Sequence, residues 1–207
     1  MKKGERVFTA LCSLAIIVCT LYALLSFFIR GGEGNMTVMG ALCFRYFTVD
    51  SNLLMAAVSV PVLYCALLGK KLSPALRALR YLSACAVTLT MMTVLVFLGP
   101  LMGYRAMFAG PNLYMHLTTP LLAVLLQVFT DNRAPMAKKS VLFSLIPTAL
   151  YGAVYILQVM IFSVWPDFYS FASGGFWYVS LIAMLLGTLL IGTALRALRR
   201  AAGKTRK

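Results

Sequence analysis

Apolar residues fall into six long, nearly uninterrupted runs, at Val7–Ile29, Ala41–Leu68, Leu82–Leu101, Leu113–Phe129, Val141–Trp165 and Trp177–Leu195. Each approaches the ~20 residues that carry an α-helix across a hydrocarbon core. The pattern predicts an all-α, polytopic integral membrane protein, a single six-helix transmembrane domain over residues 1–207. The connections Arg30–Gly40, Gly69–Tyr81, Met102–Asn112, Thr130–Ser140 and Pro166–Phe176 are too short for a soluble domain. The first run is longer than the apolar stretch of a secretory signal and reads as a span. Pro61, Pro120 and Pro147 lie inside runs and are expected to kink their helices. No internal repeat or matched pair of broken helices marks a transporter.

Composition agrees: 61% of the residues are hydrophobic and 12% charged, with a mean hydropathy of +0.89. A soluble domain of this length could not bury so much apolar surface. The net charge of +14 would suggest nucleic acid if the basic residues formed one patch. They follow topology instead. With the N-terminus inside, Lys2, Lys3, Arg6, Lys70, Lys71, Arg77, Arg80, Arg133, Lys138, Lys139, Arg196, Arg199, Arg200, Lys204, Arg206 and Lys207 are cytoplasmic, and only Arg30, Arg45 and Arg105 are not. Sixteen against three satisfies the positive-inside rule and predicts cytoplasmic termini and no nucleic-acid partner. Cys12, Cys19, Cys43, Cys65 and Cys85 form no C-x-x-C pair, which disfavours a zinc site or a dithiol; they read as small hydrophobes. No metal and no cofactor is expected. Trp165, Trp177 and Tyr178 read as interfacial anchors.

The polar residues inside the runs are uneven. Thr48, Asp50, Ser51 and Asn52 fall in the outer half of the second span, Asn112, His116 and Thr119 in that of the fourth, and Gln158 near the outer end of the fifth. The inner halves of the second and fourth spans read as apolar, which argues against a transport path. His116 is the only histidine, and an ionisable ring in a span is a functional hypothesis by default. Arg45, Thr48, Ser51 and Asn52 share one helical stripe, and Asn112, His116 and Thr119 another. A helix starting near Ala41 would put Thr48 roughly 10 Å deep, close to the depth of His116. Asp50 points about 160° from Thr48 and could reach the imidazole only from a neighbouring helix. Thr48 beside a neutral histidine would make a nucleophile and its general base, with Asn52, Asn112, Ser51 or Asp50 in support. The alternative is a non-enzymatic lipid- or small-molecule-binding protein, or a transporter, with His116 and Asp50 as a structural or proton-sensing pair.

Phe44–Leu54 (FRYFTVDSNLL), followed by the histidine of NLYMHLTTPLL, resembles the androgen-induced and androgen-dependent TFPI-regulating proteins and their bacterial six-helix relatives. The specific part is the Y-F-T-x-x-S-N stretch together with H-x-x-x-P. That family is described as multipass threonine hydrolases of fatty-acid esters of hydroxy fatty acids. The resemblance implies Thr48 as nucleophile, His116 as its histidine, a lipid ester as substrate and a site toward the outer face.

Overall fold

The computed structural model describes residues 3–29, 40–131, 136–171 and 173–204. Among them are six helices long and apolar enough to cross a membrane: α1 (Lys3–Phe28), α2 (Phe47–Leu67), α3 (Pro74–Met102), α4 (Pro111–Phe129), α5 (Ser140–Ile161) and α6 (Trp177–Lys204). No strand occurs among the described residues. Of the basic residues that suggest the topology, Lys2, Arg30, Arg133, Arg206 and Lys207 lie outside them.

Helices α1 to α4 pack in sequence and close on themselves, α4 returning to α1; α6 lies against α3, α4 and α5. Helix α3 is central, and Ser83 to Met91 are all buried. Its small residues Ser83, Ala84, Cys85 and Ala86 let neighbouring backbones approach. Buried Cys12, Cys43 and Cys85 are free thiols within the packing.

Two boundaries differ from the apolar runs. Helix α2 begins at Phe47, because Gly40–Arg45 winds as a 3₁₀ turn and Tyr46 is extended. Arg45 therefore leaves the helical stripe, and Thr48 stands in the first turn instead of a third of the way down. Helix α3 begins at Pro74, after Ser73, whose side chain accepts the Leu76 N–H as an N-cap. Arg77 and Arg80 are consequently helical residues.

Of the expected kinks, Pro120 has a visible counterpart. Proline has no N–H for the carbonyl four residues back. Before Pro100 and Pro120 the helix widens by one residue, so that Gly99 N–H donates to the Val94 carbonyl and Thr119 N–H to that of Tyr114. The first of these turns is also crowded. A Cβ on Gly99 would lie 2.3 Å from the Tyr104 ring and 2.7 Å from the Val94 carbonyl oxygen. Gly99→Ala is expected to lower stability by about 1–3 kcal/mol through overpacking. Thermal melting in detergent checks this; an unchanged midpoint contradicts it.

Candidate active site

The end of the bundle opposite the two termini holds the candidate residues. Between α3 and α4 the chain makes a one-turn helix, Tyr104–Met107, flanked by Gly103 (φ +91°) and Gly110 (φ +51°). Positive φ at both glycines lets so short a helix fold back over the bundle. Its last carbonyl, on Met107, lies 2.6 Å from His116 Nδ1. A carbonyl only accepts, so Nδ1 carries the proton and Nε2 keeps its lone pair. His116 sits in the widened turn before Pro120 and is 2% exposed. Widened turns of this kind recur at functional sites.

Thr48 is buried in the first turn of α2. Below it, Asn52 Nδ2 donates to the Thr48 carbonyl at 2.7 Å and to the Met115 carbonyl at 3.0 Å. That amide ties α2 to α4 one residue from His116. Both carbonyls lie against one nitrogen, so Thr48 stands at about the level of Met115, the residue before His116, although α2 starts later than the apolar run. No hydrogen bond joins the Thr48 and His116 side chains among the described residues.

The supporting candidates separate. Both carbonyls that Asn52 serves are backbone, and Ser51 Oγ is engaged by the Thr48 carbonyl at 3.2 Å and by Thr90 Oγ1 at 3.0 Å. Asn112 Nδ2 donates to the Ala106 carbonyl at 3.4 Å. These are ties between segments. Asp50 faces a lateral groove of about 310 Å³ between α2 and α5, with Phe44, Pro147, Leu150 and Trp165. The imidazole is bonded to Met107 instead, so the structure does not bring Asp50 and His116 together as a pair. Among the described residues buried Thr119 has no hydrogen-bond partner for its hydroxyl, and Gln158 caps the end of α5 with its backbone carbonyl.

An aromatic cap is the feature that the apolar pattern does not announce. The segment after α5 folds inward, and Phe168, Tyr169 and Phe171 pack on Tyr155. Asp167 pins the fold, accepting from the Tyr155 hydroxyl at 2.7 Å and the Phe171 N–H at 2.9 Å. Tyr169 is thereby driven against the start of α2. Its hydroxyl accepts from the Phe47 N–H at 3.1 Å and interacts with the side chains of Thr48 and Tyr151. Burial pushes this phenol above the ordinary tyrosine range, so it stays protonated at neutral pH.

Beneath the cap lies an apolar cavity of about 60 Å³ between α2, α3, α5 and α6, lined by Thr48, Thr93, Tyr155, Tyr169, Trp177 and Met184 among others. Phe47 and Tyr151, with ring centroids 5.1 Å apart, line both this cavity and the lateral groove. Trp165 also lines the groove and Trp177 the cavity, and Tyr178 is exposed.

The other end of the bundle is polar as well, against the expectation of apolar inner halves. Arg80 and Arg199 are 1% and 2% exposed. Arg80 donates to Gln127 Oε1 at 3.3 Å and to Thr130 Oγ1 at 2.9 Å. Arg77 pairs with the Asp131 carboxylate at 3.2 Å, and Arg199 lies 3.9 Å from it. Between this cluster and the cap end stands an apolar layer, including Ile16, Met55, Val58, Val62, Val87 and Leu126. Comparison of the chain with family models, with curated proteins and with solved structures returned no match.

Proposed function

We propose that the protein is an intramembrane carboxylic ester hydrolase, with Thr48 as nucleophile and His116 as general base, acting on fatty-acyl esters in the outer half of a bacterial plasma membrane. The observation that carries it is the state of His116. A buried imidazole with Nδ1–H committed to a backbone carbonyl presents a basic Nε2, and Asn52 anchors its helix to the peptide of the threonine. The lining around Thr48 is mostly apolar, which favours a lipid ester over a polar one. Basic residues support cytoplasmic termini: Lys3, Arg6, Lys70, Lys71, Lys138, Lys139 and Lys204 are near the end of the termini, and Arg45 and Arg105 near the other.

In the reaction Thr48 Oγ bonds to the ester carbonyl carbon as its proton passes to His116 Nε2. The carbonyl π pair moves onto oxygen, then returns and expels the alcohol, which takes the proton from the imidazole. Water activated by the same nitrogen cleaves the acyl-threonine. Ground-state separation of the two side chains closes when substrate bridges them, as is common where free-enzyme contacts are long. A fluorophosphonate probe tests the nucleophile: the purified chain should label, Thr48→Ser should label, and Thr48→Ala should not. Undiminished labelling of Thr48→Ala overturns the proposal.

A further inference from the structure

Resting on the hydrolase reading, we infer that Tyr169 is a further catalytic residue, whose hydroxyl donates the hydrogen bond that stabilises the oxyanion formed at Thr48. An ester hydrolase needs a donor aimed at the carbonyl oxygen as it becomes negative. The amides expected to serve are placed elsewhere, and both N–H groups of Asn52 are used. Asn52 donates to the Thr48 and Met115 carbonyls, Asn112 donates to the Ala106 carbonyl, and none of Asn52, Asn112 and Ser51 lines the Thr48 cavity.

Tyr169 differs on each count. It lines the cavity beside Thr48, and its oxygen interacts with the Thr48 side chain. Within the hydroxyl cluster the Tyr151 proton has a backbone destination. Tyr151 donates to the Arg45 carbonyl at 2.6 Å, and the Phe47 N–H is given to Tyr169 itself. Among the described residues the Tyr169 hydroxyl donates to no backbone carbonyl, so an incoming carbonyl oxygen can take its proton without breaking a backbone bond. Receiving the Phe47 N–H polarises the phenol and strengthens its own donation. That N–H belongs to the first residue of α2, where the helix end carries positive partial charge.

The donor is also held in place. The Tyr169 N–H donates to the Tyr155 hydroxyl at 3.3 Å, and Tyr155 donates to Asp167 at 2.7 Å. Tyr169 keeps its proton throughout: as the carbonyl π pair moves onto oxygen the hydrogen bond shortens, and as the alcohol leaves the pair returns.

The experiment uses the full chain in detergent micelles, a p-nitrophenyl fatty-acyl ester, and an acyl trifluoromethyl ketone that adds to the nucleophile to give an oxyanion. Tyr169→Phe keeps the ring and deletes only the hydroxyl. It is expected to lower kcat about 100-fold with KM changed less than about threefold, and to weaken ketone inhibition by a similar factor, the signature of an interaction made in the transition state. The matching methyl ketone, a poor electrophile, should bind the variant and the wild type alike. A kcat within about threefold of wild type, or equal loss for both ketones, overturns the inference. If Tyr169→Phe does not fold, a ring-fluorinated tyrosine at the same position decides: as a stronger donor it should bind the trifluoromethyl ketone more tightly, and weaker binding overturns the inference. Thr48→Ala separates the two levels. Full hydrolysis by Thr48→Ala removes the hydrolase reading itself, whereas inactive Thr48→Ala beside active Tyr169→Phe removes only the role of Tyr169.

Discussion

Replacing His116 with glutamine is expected to lower the rate of ester hydrolysis, and of fluorophosphonate labelling, by about 10³-fold. General-base catalysis contributes about 10²–10⁴ in rate, and a threonine hydroxyl without a base is a poor nucleophile at neutral pH. Glutamine is the informative replacement. Its amide N–H can still donate to the Met107 carbonyl, which His116 Nδ1 meets at 2.6 Å, so the tie to the Tyr104–Met107 turn survives. What it lacks is the second nitrogen with a lone pair. His116→Gln should therefore melt near wild type and bind a non-reactive ester analogue normally while failing in the chemical step. Stopped-flow labelling separates the two. A rate within about threefold of wild type would exclude His116 as the base, and the paired loss of binding and rate would make it a packing residue.

The six spans were legible because a membrane demands runs of a certain length and little else interrupts them. Helix starts were harder. The second apolar run gives no sign of a break near its start, yet Tyr46 is extended and α2 begins after it, which leaves Thr48 in the first turn. The signal at the next helix was present: Ser73 followed by Pro74 is an N-cap and first-turn pair, and it places Arg77 and Arg80 on one helical face. Counting those arginines only as loop charge concealed that one of them is buried. Thr48 and His116 stand out as polar residues in apolar runs, whereas nothing in the spacing alone separates Asn52 as a tie between helices from Asn52 as a donor to substrate.

Tyr169 left no such mark. In a segment without periodicity an aromatic that enters the bundle looks like one that anchors at an interface. The available clue lay in the acids. Only five occur in the chain, and Asp167, in the middle of that aromatic segment, is the residue that folds it inward. Glu5 and Asp131 repeat the lesson at the other end, where Glu5 accepts the Asp131 N–H and Asp131 faces Arg77 and Arg199. In a chain so short of carboxylates, each one has a partner to be looked for.

The largest stability effect is expected at Arg80. Its guanidinium is fully enclosed and bonds three acceptors, Gln127 Oε1, Thr130 Oγ1 and the Thr130 carbonyl, which joins α3 to the end of α4. Arg80→Met conserves much of the volume but strands those acceptors, each worth about 1–3 kcal/mol when buried without a partner. The charge it removes is repelled by Arg199 and Arg77 and attracted by Asp131 and Glu5, so the lost hydrogen bonds dominate the cost. The sum is expected at about 3–5 kcal/mol, the usual cost of removing one member of a buried charged network. Arg77 supplies the contrast. It is half-buried and pairs with Asp131 at 3.2 Å, so Arg77→Met should cost about 1 kcal/mol or less. Equilibrium unfolding in detergent, followed by circular dichroism, measures both. If Arg80→Met unfolds within about 1 kcal/mol of Arg77→Met, the buried bonds of Arg80 contribute no more than a surface ion pair, and the joint between α3 and α4 must rest on the apolar packing of Tyr81, Cys85, Val124 and Val128 alone.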